Sequence, residues 1–400
     1  MSPSLLRIIL LAGLLCAIVA SAAVLLAGHP LASANSQSDG YTVQNGSQVL
    51  IPLAGEPGKP RRTPTPTRTR TPTPTATRTR TPTPTVTRTP TATSTPTVLP
   101  GVGPTIAGCP QFPPDNIWNV RVDTLAIDPN SSLYIGTMGA STGLHADFGA
   151  GEWPPGSGAP IGIPWTSVPG TQPLVPVTFD YEDESDPGPY PIPTDAPIEG
   201  GPNSSGDRHV LVVDRDHCML YEMWNSWPNA NGSWHAGSGA VFDLNSHALR
   251  PAGWTSADAA GLPIVHGLVR YEEVAAGEIR HAIRFTVPQT RRAYVWPARH
   301  YASTLTGTQY PPMGQRFRLK ASFDISGFAP DVQVILQAFK TYGIMLADNG
   351  SAWFISGAPD PRWDDDVLRQ LNQVHGSDFE AVDVSSLMID PNSGQARPAP

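Results

Sequence analysis

After residue 108 the chain alternates short apolar runs with prolines and glycines, a pattern that predicts many strands joined by turns and loops. Residues 209–214 (HVLVVD) and 218–223 (CMLYEM), separated by the polar residues 215–217, read as a hairpin. Residues 281–287 and 293–296 read as a second. Residues 344–347 and 352–356, flanking Asp348-Asn349-Gly350, read as a third. Residues 316–323 alternate strictly, with Phe317, Leu319, Ala321 and Phe323 on one face and Arg316, Arg318, Lys320 and Ser322 on the other. That segment predicts a strand with one wet face.

Two segments switch to helical spacing. Pro330 and Asp331 open the first, which places Val332, Ile335, Leu336, Phe339 and Tyr342 on one stripe before Gly343 closes it. The second starts at the acidic run 364–366, which complements a helix N-terminus, and aligns Val367, Leu368, Leu371 and Val374. The expected fold is a mainly β, sandwich-like globular domain over residues 108–388 with a few peripheral α-helices, followed by a disordered tail over 389–400.

The first hundred residues carry a different pattern. Residues 8–28 form an apolar run interrupted only by Ser21 and preceded by Arg7. Such a length spans a bilayer, and Ala20-Ser21-Ala22 or Ala32-Ser33-Ala34 equally supplies a cleavage pattern for secretion. Residues 1–34 are therefore a signal peptide or an N-terminal membrane anchor, with a lean toward the anchor, and both readings export the chain. Residues 35–107 form a Thr/Pro-rich linker with blocks such as TPTPTRTR and TPTPTATRTR. Repeated proline favours extended polyproline II and buries no core, so this segment is expected to be a disordered stalk reaching up to roughly 100 Å. The expected location is extracytoplasmic, either anchored at the cell surface or secreted.

Charge and cysteine narrow the partners. The net charge is -8 with 15% charged residues, and seven arginines fall between Arg61 and Arg88, so the folded part is more acidic than the total. No basic, aromatic-studded stretch of the kind that binds nucleic acid is present in the sequence. Cys16 lies in the leader, which leaves Cys109 and Cys218 as candidates for one bridge in an oxidising compartment, or as two separate buried thiols.

Three constellations carry candidate chemistry. Trp224, Trp227 and Trp234 lie in a loop rich in Asn, Ser and Gly. Flat apolar rings beside hydrogen-bonding groups suit a sugar. The carboxylates Glu222, Asp243, Asp258 and Asp324 include the kind of pair that glycoside cleavage requires, although Asp258 also reads as a helix cap and Asp324 as a turn cap. His281, Arg284, Arg299 and His300 are candidates for a cationic pocket that would neutralise an acidic sugar and move a proton. His145-Ala146-Asp147 is a weak metal pair, and the acidic run Glu182, Asp183, Glu184 and Asp186 a weak calcium candidate without the spacing of a calcium loop.

The segments ADAAGLPIVHGLVRYEEVAAGEIRHAIRF (257–285), RRAYVWPARH (291–300), PPMGQRFRLKASFDISGF (311–328) and LADNGSAWFISG (346–357) resemble an uncharacterised family of exported bacterial proteins. The resemblance covers nearly all of the chain after Cys109. It implies a secreted setting and no mechanism.

These features lead to an exported, surface-displayed carbohydrate-active domain, a polysaccharide hydrolase or lyase. Its catalytic candidates are Glu222, Asp243, Asp324, His281 and His300, and its substrate-binding candidates Trp224, Trp227, Trp234, Arg284 and Arg299. Alternatives are a non-catalytic glycan-binding or adhesion ectodomain and a calcium-stabilised structural module. The expected partners are a polysaccharide or cell-surface glycan, and the membrane through the N-terminal segment. No cofactor or catalytic metal is expected.

Overall fold

A computed structural model describes residues 103–399; the apolar leader and most of the Thr/Pro linker lie outside the described residues. No helix among the described residues is long and apolar enough to cross a membrane.

The described chain is mainly β. It begins with β1 (Thr105–Ile106), β2 (Cys109–Pro110), β3 (His145–Asp147), β4 (Trp165–Val168) and β5 (Val177–Phe179). The middle contributes β6 (Val210–Asp214), β7 (Met219–Trp224), β8 (Trp227–Pro228), β9 (Trp234–Ala236) and β10 (Ser238–Asp243). Then follow β11 (Ile283–Val287), β12 (Arg316–Leu319), β13 (Ile344–Asn349), β14 (Phe354–Ser356) and β15 (Phe379–Val382). Four helices are interspersed: α1 (Ser131–Met138), α2 (Tyr271–Ala276), α3 (Pro330–Thr341) and α4 (Asp365–Leu368).

Two sheets organise the molecule. One runs β10-β7-β6-β4 and the other β15-β12-β13-β11-β14-β3. The first holds the expected hairpin, since β6 and β7 pair antiparallel. Its strand β6 is buried at all five positions. Leu211 and Val213 enter the main core, while Val210 and Val212 enter a second, smaller core with Tyr190, Met223, Trp234 and Ala236. A small sheet, β5-β9-β8, contributes to that second core.

The other predicted hairpins resolve differently. β13 and β14 do not pair with each other, because β11 lies between them, parallel to β13 and antiparallel to β14. Residues 293–296 form no strand; Tyr294 makes only an isolated bridge to Met313. The predicted alternating strand ends at Leu319, and its wet face is not wet at Arg316. That guanidinium is buried and donates to the carbonyls of Tyr342 and Ile117 at 2.6 and 2.9 Å. Backbone carbonyls stand in for water there.

The helix α3 follows its predicted stripe, with Val332, Ile335, Leu336 and Phe339 fully buried. Gly343 then turns the chain at φ +72, where a Cβ would lie 2.2 Å from the Phe317 carbonyl oxygen. Asp364 caps α4 by accepting from Asp366 and Val367 N–H, as an N-cap aspartate does. The segment then tightens into a 3₁₀ turn at Arg369–Gln373.

Cys109 and Cys218 form a disulfide that ties β2 to the turn between β6 and β7. Residues 389–399 do not trail away as the expected tail. Gly394 accepts from Ile117 N–H, Ala396 donates to Asp115, and the Ala396 side chain is buried.

Candidate functional site

Strand parity decides which expected residues can meet. Along β7, Leu220 and Trp224 pack on the main core, so Glu222 between them faces the same side. In β10, Ala240 and Phe242 share that side, which turns Asp243 to the opposite face. Asp243 is exposed at the strand end, where its carboxylate accepts from Asn245 N–H. Asp324 likewise caps an exposed turn through Ser326 N–H. Asp243 and Asp324 therefore form no carboxylate pair with Glu222.

Glu222 itself is sealed. Its oxygens accept from the backbone N–H groups of Ile264 and Val265 at 2.9–3.0 Å, at the start of the 3₁₀ turn Val265–Gly267. Burial pushes its pKa up to about 7, against the lowering effect of those bonds. This carboxyl closes orphan helix donors and presents no face to a substrate.

The cationic pocket also dissolves. His281 is buried, donating through Nδ1 to the Ala282 carbonyl and pairing through Nε2 with Glu273 at 3.1 Å. Arg299 is buried and spent on the carbonyls of Arg250 and Pro391 and on Asn392. Arg284 makes a bidentate ion pair with Asp258 at 2.7 and 3.0 Å, donates to Ser356, and lies 3.5 Å from Asp348. Every guanidinium nitrogen of Arg284 is thus committed within the protein.

The three indoles separate too. Trp234 is buried in the second core. Trp227 is exposed, with the Arg208 guanidinium over one face of its ring at 3.6 Å, a cation–π contact. Trp224 lines a cleft.

That cleft, of about 350 Å³, opens where β7 ends, β10 begins and β13 ends. Its aromatic wall is Trp224 with Tyr181, ring centroids 6.4 Å apart. Glu184, Asp207, Asp258, His300 and Asp348 are among the ionisable groups that line it, with hydroxyls from Ser238, Thr255 and Ser256. Gly237 sets the position of Trp224, since a Cβ there would lie 2.3 Å from the indole.

Asp348 reaches the cleft because of a β-bulge. The register of β11 and β13 pairs Phe285 with Leu346 but Thr286 with Asp348, leaving Ala347 unopposed. Regular pairing through Ala347 would give Asp348 the parity of Ile344 and Leu346; with Ala347 bulged, Asp348 pairs with Thr286 and shares the face of Arg284. Burial pushes the Asp348 pKa up to about 7, with the neighbouring Asp258 charge adding to the rise and Arg284 opposing it. Its side chain nevertheless stays 25% exposed, whereas that of Asp258 is 0% exposed. Asp258 therefore acts on the cleft only through its charge.

His300 has a defined tautomer. Its Nδ1 lies 2.8 Å from the Ala259 carbonyl, which can only accept, so Nδ1 carries the proton. Its Nε2 lies 4.0 Å from Glu184, whose Oε2 also accepts from Thr255 N–H. The ring is parallel to that of Tyr301, at 2°.

Glu184 belongs to the acidic run considered for calcium, and the run is divided among other duties. Asp186 pairs with Arg250 and accepts from Val241 N–H, while Glu184 turns to the cleft. Among the described residues no group of three or more His, Cys, Asp or Glu side chains is arranged to hold a metal ion. His145 stacks on Phe354 with ring centroids 4.1 Å apart, and with Asp147 lines a separate cleft.

Of the residues singled out in the sequence, the structure brings Trp224, His300, Asp258 and Glu184 to one cleft and places the other site candidates elsewhere. Asp207 and Asp348 are the additions. No family of known proteins, no curated protein and no solved structure matches the chain.

Proposed function

We propose that this protein is an exported polysaccharide hydrolase working in the Trp224 cleft. The observation that carries the reading is that Asp348 and Glu184, two partly exposed carboxyl groups, line one cleft with an aromatic wall, and burial pushes the Asp348 pKa up to about 7. Glycoside hydrolysis needs that division of labour, one carboxylic acid and one carboxylate base or nucleophile. Asp348 protonates the departing glycosidic oxygen. Glu184, 4.0 Å from Nε2 of His300, takes the proton of the attacking water. Trp224 and Tyr181 stack on the sugar ring. The Asp258–Arg284 pair behind them is a positioning pair, whose Asp258 charge helps to hold the proton on Asp348.

Hydrolysis is favoured over elimination because no arginine or lysine lines the cleft to neutralise a uronate carboxylate. The Cys109–Cys218 bridge supports export, since such bonds persist in oxidising compartments.

The test is a panel of polysaccharides incubated with the full chain, assayed for new reducing ends and for unsaturated products. Reducing ends are expected, with a rate that falls as the pH rises through about 7 and Asp348 loses its proton. Asp348→Asn is expected to lower kcat by about 10²–10⁴-fold and to remove the alkaline limb. Binding to an insoluble glycan without any product would replace the enzyme with a glycan-binding ectodomain, and unsaturated products would replace hydrolysis with elimination.

A further inference from the structure

Resting on the saccharide reading of the Trp224 cleft, we infer that its substrate carries protonated amines, as glucosamine-rich polymers do, and that uronate polymers are excluded. A ligand in the cleft would meet two ionised carboxylates, Glu184 and Asp207, beside the protonated Asp348, and the only basic side chain lining it is His300. Two guanidiniums pack behind the lining residues and neither has a nitrogen left to offer: Arg284 is held by Asp258 and Ser356, and Arg250 by Asp186 and the carbonyls of Thr255 and Glu184.

Asp207 gives this charge a direction. The residue is exposed, and its Oδ1 accepts the indole N–H of Trp224 at 3.2 Å. A carboxylate is thereby fixed at the edge of the indole that walls this cleft. A pyranose lying on that ring would set an equatorial substituent close to this carboxylate. An ammonium there gains a charge-assisted hydrogen bond, a hydroxyl gains an ordinary one, and a carboxylate meets like charge. Charge complementarity of this kind sets specificity more than overall affinity.

The experiment is titration of the full chain with hexamers of glucosamine, N-acetylglucosamine and galacturonate, read by calorimetry at slightly acidic pH. At low ionic strength the glucosamine hexamer is expected to bind at least about tenfold more tightly than its N-acetylated counterpart, a gap that salt screening narrows. Galacturonate is expected not to bind. Asp207→Asn keeps an acceptor for the indole and is expected to lose most of the preference while retaining the N-acetylated hexamer. A thermal melt of the variant distinguishes this outcome from misfolding. Equal binding of the charged and N-acetylated hexamers, binding of galacturonate, or a preference that survives in a folded Asp207→Asn protein would overturn the inference and leave the saccharide site standing. Binding of none of the three would remove both.

Discussion

The ring of His209 shows how much a single side chain can commit a fold to one ionisation state. It is buried, with Nε2 at 3.0 Å from the Ala257 carbonyl and Nδ1 at 2.6 Å from Glu199. The carbonyl only accepts, and the carboxylate accepts when ionised, so both ring nitrogens donate and the imidazole is charged. Burial works against that charge, yet the charge of Glu199 and the hydrogen bond to it push the pKa up to about 9. A histidine whose folded pKa is raised contributes stability that is complete below its ordinary value of 6.5 and lost as the pH climbs through about 9. Stability is therefore expected to fall across that window by an amount on the order of a few kcal/mol. Urea melts at several pH values measure it, and His209→Gln should flatten the slope. Glu222, whose folded pKa is raised to about 7 from 4.5, acts in the same direction at lower pH. A profile that instead rises between pH 6.5 and 9 would contradict the buried imidazolium.

At the level of elements, the Cys109–Cys218 bond joins positions 109 residues apart. It closes the β2 end of the domain against the β6–β7 turn. A loop of that length implies about 4–5 kcal/mol of stabilisation on the chain-entropy account. The double variant Cys109→Ser/Cys218→Ser is expected to lower the denaturant midpoint and, because the unfolded chain without the cross-link exposes more surface, to steepen the denaturant slope. A loss below about 1 kcal/mol would mean that the reduced unfolded chain is already constrained or that the native bond is strained. The bulge in β13 is the other element-scale device. It spends one residue, Ala347, to bring Asp348 onto the Arg284 face, where burial raises its pKa.

For residues 103–399 as a whole, the consequential feature is that two cores share one sheet. The strand β6 feeds Leu211 and Val213 into the main core and Val210 and Val212 into the second. Loss of either core would leave one face of a fully buried strand in water, at roughly 1.5–3 kcal/mol per exposed aliphatic side chain. The two cores are thus expected to unfold together. Thermal melts followed by tryptophan fluorescence and by far-ultraviolet circular dichroism should coincide, as a two-state transition requires. Separate midpoints would show that the second core, which holds Trp234, opens independently.

Hydrophobic spacing made the β6–β7 hairpin and the α3 stripe legible, and the acidic run 364–366 marked the start of α4, because each depends on contacts between residues near in sequence. Local features also pointed to Trp224, to His300 and to a possible Cys109–Cys218 pairing. The rest of the site was hidden for a definite reason. Strand order, with β11 inserted between β13 and β14, is a long-range choice that a turn signature such as Asp348-Asn349-Gly350 does not encode. The bulge at Ala347 reverses parity without any mark in the alternation. Whether Arg284, Arg299, His281 and Glu222 face a ligand or a buried partner depends on what the rest of the chain packs against them, and that is decided only by tertiary structure.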